Sequence, residues 1–228
     1  MEQEKLDFKF PELDNVEVKK TGLIYRFFKR FFDLFFSFLL LLLIGWILII
    51  IAIFVSISSH GTPLYKDKRI GRWGKELNVL KFRSMFVDAN TKPEKYLNEE
   101  QLHQFKTERK VDNDPRVTKV GHFIRKTSID ELPQILNIFI GNMSFVGPRP
   151  ITQQEFDMHF TEKQKEIYQS AKPGLTGIWQ VSGRNNIEFR NGERQRVELE
   201  YFRTRGFWTD IKIIFKTIPA VLKRKGVK

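Results

Sequence analysis

LFFSFLLLLLIGWILIIIAIFVSI, residues 34–57, is almost entirely Leu, Ile, Phe and Val, interrupted by Ser37, Gly45, Trp46 and Ser56. Twenty-four residues at about 1.5 Å each make about 36 Å of helix, enough to cover a hydrocarbon core of about 30 Å. A cleaved leader would have a shorter apolar stretch and a small-residue cleavage site, so the segment reads as an anchor. It divides the chain into a loose arm over residues 1–22, a membrane-associated stretch over 23–58 and a polar domain over 59–228.

Both flanks of the anchor are basic. Lys19, Lys20, Arg26, Lys29 and Arg30 precede it, and Lys66, Lys68, Arg69 and Arg72 follow it. Positive charge stays on the cytoplasmic side of a membrane. The residues leave two readings open: a straight span, or a helix that enters and bends back, with Gly45 supplying the bend. Ahead of the anchor, Ile24, Phe27, Phe28, Phe31 and Phe32 alternate with Arg26, Lys29 and Arg30, a pattern suited to the headgroup level.

Lys and Arg outnumber Asp and Glu by 39 to 27, a net charge of +12, which calls for an anionic partner. The absence of cysteine removes disulfides, thiol catalysis and thiolate zinc sites. His60, His103, His122 and His159 are scattered, which argues against a hydrolase triad or a histidine metal cage. Neither nucleotide-binding glycine motif occurs. No recognition helix or aromatic strand motif supports a nucleic-acid partner.

The polar domain reads as mainly α with a small β component. Leu77, Val79, Leu80 and Phe82 mark a buried strand, and residues 88–110 a surface helix and loop. Val117, Val120, Phe123 and Ile124 recur at helical spacing. A second helix is expected from Ser128 to a stop at Gly141, then a loop to Pro150 and a polar helix over 152–170. Residues 172–185 are too rich in Gly and Pro for a regular element. Trp208, Ile211, Phe215, Ile218 and Leu222 form an apolar stripe on a C-terminal helix, and the anchor upstream favours a membrane-surface role over core packing.

Ser128-Ile129-Asp130-Glu131 fits a capping box, in which Ser caps the helix and Glu reaches back. The same geometry suits chemistry: carboxylates in a first turn face the positive helix end, which favours their ionised form. An ionised carboxylate is a nucleophile toward phosphorus or a ligand for Mg²⁺. Pro133 should distort the turn. Two basic loops favour the chemical reading. Pro148 and Pro150 restrict the backbone around Arg149, pre-aiming a planar fork suited to phosphate. Ser182-Gly183-Arg184-Asn185 offers a second exposed turn, and Arg125, Lys81 and Arg83 lie on neighbouring elements. Asp112-Asn113-Asp114 is an alternative, the D-x-D triplet of metal-dependent glycosyltransferases, though Pro115 makes a turn the simpler account.

From about Lys29 to Lys223 the chain resembles the monotopic phosphoglycosyl transferases, also called bacterial sugar transferases or undecaprenyl-phosphate sugar phosphotransferases, in their minimal form. The resemblance is carried by Lys-Phe-Arg-Ser-Met (81–85), Asp-Pro-Arg-Val-Thr-Lys-Val-Gly (114–121), Ile-Arg-Lys-Thr-Ser-Ile-Asp-Glu-Leu-Pro-Gln (124–134), Gly-Asn-Met-Ser-Phe-Val-Gly-Pro-Arg-Pro (141–150) and Lys-Pro-Gly-Leu-Thr-Gly-Ile-Trp-Gln-Val-Ser-Gly-Arg-Asn (172–185). It implies transfer of a sugar-1-phosphate from a UDP-sugar to a polyprenyl phosphate, with release of UMP, to start a surface polysaccharide. It further implies a covalent phosphosugar on Asp130, Mg²⁺ held by Glu131, Arg125 and Arg149 with Lys81 and Arg83 toward phosphate, and Gly183, Arg184 and Asn185 toward the nucleotide. The fold implied is a re-entrant N-terminal helix plus a catalytic domain on the cytoplasmic face of the bacterial inner membrane, carrying amphipathic membrane-surface helices. A homodimer is left open. The sequence departs from the family at Gly45-Trp46, where small members carry Ser-Pro, and at Glu198, where Asp is expected.

Overall fold

A computed structural model of the chain describes residues 9–108, 111, 113–182 and 191–222. As read from the sequence, it is mainly α with a small β component: α1 is Leu23–Ser59, β1 Leu64–Ile70, β2 Glu76–Phe82, α2 Glu99–Glu108, α3 Lys119–Lys126 and α4 Gln134–Ile140. There follow β3 Ser144–Val146, α5 Gln153–His159, α6 Glu162–Gln169, β4 Gly174–Thr176, α7 Ile178–Ser182, α8 Glu193–Thr204 and α9 Phe207–Leu222. α1 runs unbroken through Gly45 for 37 residues and is long and apolar enough to cross a membrane. The chain forms two compact units. One contains Met1–Leu39, Asp67–Val79 and Gln134–Lys228; the other contains Leu40–Lys66 and Leu80–Pro133.

In the first unit, Phe156, Phe160, Tyr168, Leu199 and Phe202 build an aromatic-rich core with Val146, Ile151 and Ile213. The polar helix expected over 152–170 is two helices. Thr152 caps α5 with Glu155, and Thr161 caps α6 with Gln164, each in a reciprocal capping box. The break between them lets Phe160 turn fully into the core. β3 and β4, expected as irregular loops, pair in parallel with Ser144 opposite Gly174 and Val146 opposite Thr176. Strands of three residues are too short for any periodicity to announce them. Their glycines announce them better: a Cβ on Gly174 would lie 2.1 Å from the Gly147 nitrogen, and one on Gly147 would lie 2.4 Å from the Lys172 oxygen. The two backbones meet so closely that no side chain fits between them.

The first half of α1 belongs to this unit, and Lys29, Arg30 and Asp33 on it are bound by protein groups. Lys29 Nζ donates to Asp210 of α9 at 2.6 Å, and the Tyr25 hydroxyl donates to the same carboxylate at 2.8 Å. Arg30 donates to the Ile138 and Phe139 carbonyls at 2.8 Å each, closing the C-terminal end of α4 where carbonyls lack helical partners. Asp33, buried, accepts from Ser144 Oγ at 3.1 Å and from the Phe145 amide at 3.0 Å. Tyr25, Lys29, Asp33 and Ser37 recur every four residues and so share one helix face. The sequence reading placed Lys29 and Arg30 at headgroups; here they are bound by protein.

α9 forms as expected and leaves one apolar face exposed. Ile213 is buried, while Trp208, Phe215 and Ile218 are strongly exposed. Besides the Asp210 contacts, the Thr217 and Thr176 hydroxyls meet at 2.7 Å.

In the second unit, the later half of α1 packs on α3 and β2. Val55, Phe82 and Ile124 are buried together, with Leu48, Ile51, Ala52, Val120 and Ile129 against them. Met85 bridges Val117, and the Thr118 amide donates to the Ser84 carbonyl at 3.0 Å. A Cβ on Gly121 would stand 1.9 Å from that same Ser84 oxygen, so α3 reaches the Lys-Phe-Arg-Ser-Met segment only with glycine there. β1, which the sequence reading left as basic flank, is a charged strand paired with β2 in a two-stranded sheet. The end of β1 from Asp67 on belongs to the first unit, where Arg69 pairs with Asp67 at 2.8 Å and Glu155 at 3.3 Å.

The Asp33 contacts make a prediction opposite to that of simple hydropathy. Asp33→Leu makes α1 more apolar but strands two buried donors, and should cost about 1–3 kcal/mol of stability. Thermal unfolding in detergent measures this, and a variant as stable as the parent would show the contacts to be dispensable.

Candidate active site

The turn that carries the acidic pair is not a capped helix start. Ser128 adopts the left-handed conformation at φ 57°, and its side chain makes no capping bond. Ile129–Glu131 is instead a single 3-10 turn, with the Glu131 amide donating to the Ser128 carbonyl at 3.3 Å and the Leu132 amide to Ile129 at 3.1 Å. Pro133, which has no N–H to continue the ladder, separates this turn from α4. The distortion anticipated from Pro133 is therefore present, and the capping box is not. Successive side chains on a 3-10 turn diverge by about 120°, so Asp130 and Glu131 face different directions from one short backbone segment.

Two neighbours aim the turn. Ile129 packs against the apolar cluster of Val55, Phe82 and Ile124, which fixes the backbone immediately before Asp130 to the second half of α1. On the polar side, Arg125 Nε donates to Ser84 Oγ at 2.8 Å. Four of the candidate residues are thus gathered in one unit: Asp130 feels the charges of Glu131, Lys81 and Arg125. Arg83, in the same unit, donates to the Thr62 carbonyl at 2.8 Å and the Thr62 hydroxyl at 2.9 Å, which ties down the segment after α1. Arg149 is carried by the other unit. Gly183, Arg184 and Asn185 lie outside the described residues.

The sequence reading expected a helix dipole to favour the ionised form of Asp130. A three-residue turn supplies no such dipole, and the environment works the other way. Burial, and then the like charge of Glu131, push the Asp130 carboxyl up to about 6, against the pull of Lys81 and Arg125. At neutral pH it is ionised yet poorly solvated, a good state for a nucleophile. Among the described residues no group of three acids or histidines gathers to hold a metal by itself, so an ion at Glu131 would complete its shell from outside these side chains, as Mg²⁺ does with water or phosphate oxygens.

Arg149 sits in a second polar cluster that sequence reasoning missed. Its guanidinium lies 4.7 Å from the centre of the Trp179 ring, and Arg194 lies 4.5 Å from the same ring. Arg194 stands in the run Arg-Asn-Gly-Glu-Arg-Gln-Arg, where nothing distinguishes it from a solvated charge.

Residues 24–224 match the family model described as bacterial sugar transferase. The chain belongs to the bacterial sugar transferase family. It is 42% identical over 203 residues to the UDP-galactose-lipid carrier transferase of Erwinia amylovora, covering 88% of this chain and 42% of that protein. It is 38% identical over 200 residues to the exopolysaccharide production protein ExoY of Rhizobium meliloti, covering 87% of each. It is 40% identical over 200 residues to the UDP-glucose:undecaprenyl-phosphate glucose-1-phosphate transferase of Escherichia coli, covering 86% of this chain and 40% of that protein. The chain therefore spans less than half the length of several curated relatives it matches, and most of the length of ExoY.

The raised Asp130 value has a thermodynamic consequence. A carboxyl whose folded pKa exceeds its unfolded value of about 3.9 adds stability below the unfolded value and loses it as pH rises through the folded one. In EDTA, Asp130→Asn should therefore stabilise the protein by about 1–2 kcal/mol at pH 7.5, with the advantage shrinking toward pH 5. Unfolding curves at the two pH values test this. An asparagine variant less stable at pH 7.5 would contradict it.

Proposed function

We propose that this chain transfers a sugar-1-phosphate from a UDP-sugar to a polyprenyl phosphate, releasing UMP and starting a surface polysaccharide or glycoconjugate. One observation carries the reading: an acidic pair with a desolvated Asp130, beside Lys81 and Arg125, is fixed through Ile129 to the apolar helix α1. Chemistry on a phosphate and access to a lipid are thereby joined at one turn. The names of the relatives, a lipid carrier transferase and an undecaprenyl-phosphate glucose-1-phosphate transferase, support the same substrates.

Two displacements at phosphorus make up the reaction. An Asp130 carboxylate oxygen attacks the β-phosphorus of the UDP-sugar, and the bond from that phosphorus to the bridging oxygen breaks. UMP leaves with the bridging oxygen and its electron pair. An oxygen of the polyprenyl phosphate then attacks the same phosphorus, the acyl phosphate bond breaks and the Asp130 carboxylate is restored. Lys81 and Arg125 offset the negative charge of the diphosphate. Glu131 would hold Mg²⁺, which when bound would supply further charge neutralisation at the phosphates.

The basic flanks on both sides of α1 support a placement of both on the cytoplasmic face of the inner membrane, with the exposed face of α9 at the lipid surface. The bend expected at Gly45 is not seen, since α1 is one continuous helix there.

The D-x-D alternative is weaker. Asp114 is held by Arg116, with Nε at 2.9 Å from Oδ1 and Nη2 at 2.7 Å from Oδ2, so its carboxylate is engaged within the protein. Asp112 lies outside the described residues.

The released nucleotide decides between the readings. Detergent-solubilised protein, given a panel of UDP-sugars with polyprenyl phosphate and Mg²⁺, should release UMP in step with lipid-linked product. Asp130→Asn should lower that rate at least about 10³-fold. Release of UDP would identify transfer of the sugar alone and contradict the proposal.

A further inference from the structure

Three arginines of the first unit stand together with no acid to balance them. Arg26 lies in the opening turn of α1, Arg72 in the turn between β1 and β2, and Arg205 between α8 and α9. Short links gather them. Arg205 Nε donates to the Lys19 carbonyl at 2.8 Å and Nη1 to Ser170 Oγ at 3.3 Å, while Arg26 Nε donates to Thr21 Oγ1 at 3.4 Å. The Arg72 turn rests on the residue before Ser170, since a Cβ on Gly74 would stand 3.1 Å from Gln169 Oε1. Among the described residues none of the three guanidiniums meets a carboxylate, and Arg72 Nε is buried without a hydrogen-bond partner.

Such an arrangement is costly by itself. Burial, and then the like charges of Arg26 and Arg205, draw the Arg72 guanidinium below its usual range. Burial and Arg26 act in the same direction on Arg205, against Tyr201 and Tyr25. An arginine does not respond by losing its proton, so the repulsion stays until an anion offsets it. Asp210 is committed to Lys29 and Tyr25, and Glu200 to Arg203. The first turn of α1 also carries no acid, although the positive end of a helix favours one.

The surroundings identify the kind of anion. Each arginine is followed within two residues by an exposed aromatic ring: Phe27, Trp73 and Phe207. Trp73 is 67% exposed and holds a left-handed backbone at φ 61°, an uncommon conformation for so bulky a residue. Arg72 lies 4.2 Å from the centre of its ring. Phe207 is 6.2 Å from Phe32 of α1, so the rings continue onto the apolar helix. Guanidiniums bordered by exposed Trp and Phe suit the headgroup level of a bilayer, where phosphate adjoins hydrocarbon. A soluble phosphate would use the arginines and leave the rings without a role. We propose that Arg26, Arg72 and Arg205 bind the phosphate of an anionic phospholipid, with Phe27, Trp73 and Phe207 against its glycerol and acyl chains. The site takes no part in the transfer steps above, so the proposal stands or falls independently of that reading.

Native mass spectrometry of the full chain in nonionic detergent, titrated with phosphatidylglycerol in about 0.15 M ammonium acetate, tests it. Diffuse attraction is largely screened there beyond about 8 Å, so a built site dominates. Phosphatidylglycerol should bind at least about tenfold more tightly than phosphatidylcholine. Arg26→Gln with Arg72→Gln, which strands no acid, should abolish that preference. Arg72→Gln alone should weaken it and decides the matter if the pair does not fold. Lys212→Gln with Lys216→Gln removes the same charge from exposed positions of α9 and should retain the preference. Equal binding of the two lipids, or an equal loss in both variant pairs, overturns the proposal. Displacement of the lipid by an equal concentration of inorganic phosphate would identify a site for free phosphate and overturn the lipid assignment.

Discussion

The packing of Ile129 into the cluster of Val55, Phe82 and Ile124 is the contact on which the account turns. It is a small contact: Ile129 is only partly buried, so it contributes less than the roughly 1.5–3 kcal/mol of a fully buried aliphatic side chain. Its importance is positional. The residue after Ile129 is Asp130, so the same turn has one side chain in the apolar cluster and the next among charges. The proposed reaction, in which the carboxylate meets both a nucleotide and a lipid, calls for a turn fixed at such a boundary. The left-handed Ser128 and the ladder-breaking Pro133 confine the turn to one revolution, which keeps the two acids from being absorbed into a longer helix.

Electrostatics complete what packing begins. Desolvation and Glu131 raise the Asp130 carboxyl, and Lys81 and Arg125 keep it within reach of ionisation at neutral pH. In the other unit, α1 carries a polar face on which Asp33 satisfies β3 and Lys29 meets Asp210 of α9, and beside that face Arg30 closes the end of α4. A helix that is apolar enough for lipid is also, over its first half, a structural strut of the polar domain. The two roles are compatible because the polar groups recur every four residues and leave the remaining circumference apolar.

Much of this was legible in the sequence. The anchor, β2, α3, the stop at Gly141 and the exposed stripe of α9 follow from hydrophobic runs and periodicity long enough to rise above chance. The acidic pair and its basic neighbours Lys81 and Arg125 were legible as a set. The turn type was not, because Ser-Ile-Asp-Glu satisfies a capping pattern as well as it does a 3-10 turn, and only the left-handed Ser128 separates them. β3 and β4 were hidden by their brevity, and the split of α5 from α6 by the fact that Thr161 and Gln164 look like ordinary helix-surface residues.

The claim that Asp130 bonds directly to phosphorus can be met with a single measurement. Solubilised protein is mixed with UDP-sugar and Mg²⁺ in the absence of polyprenyl phosphate, quenched in acid, digested and analysed by mass spectrometry. The account predicts a sugar-phosphate adduct on the peptide containing Asp130, which disappears when polyprenyl phosphate is added before the quench. Turnover without any adduct, or an adduct on another residue, would contradict it.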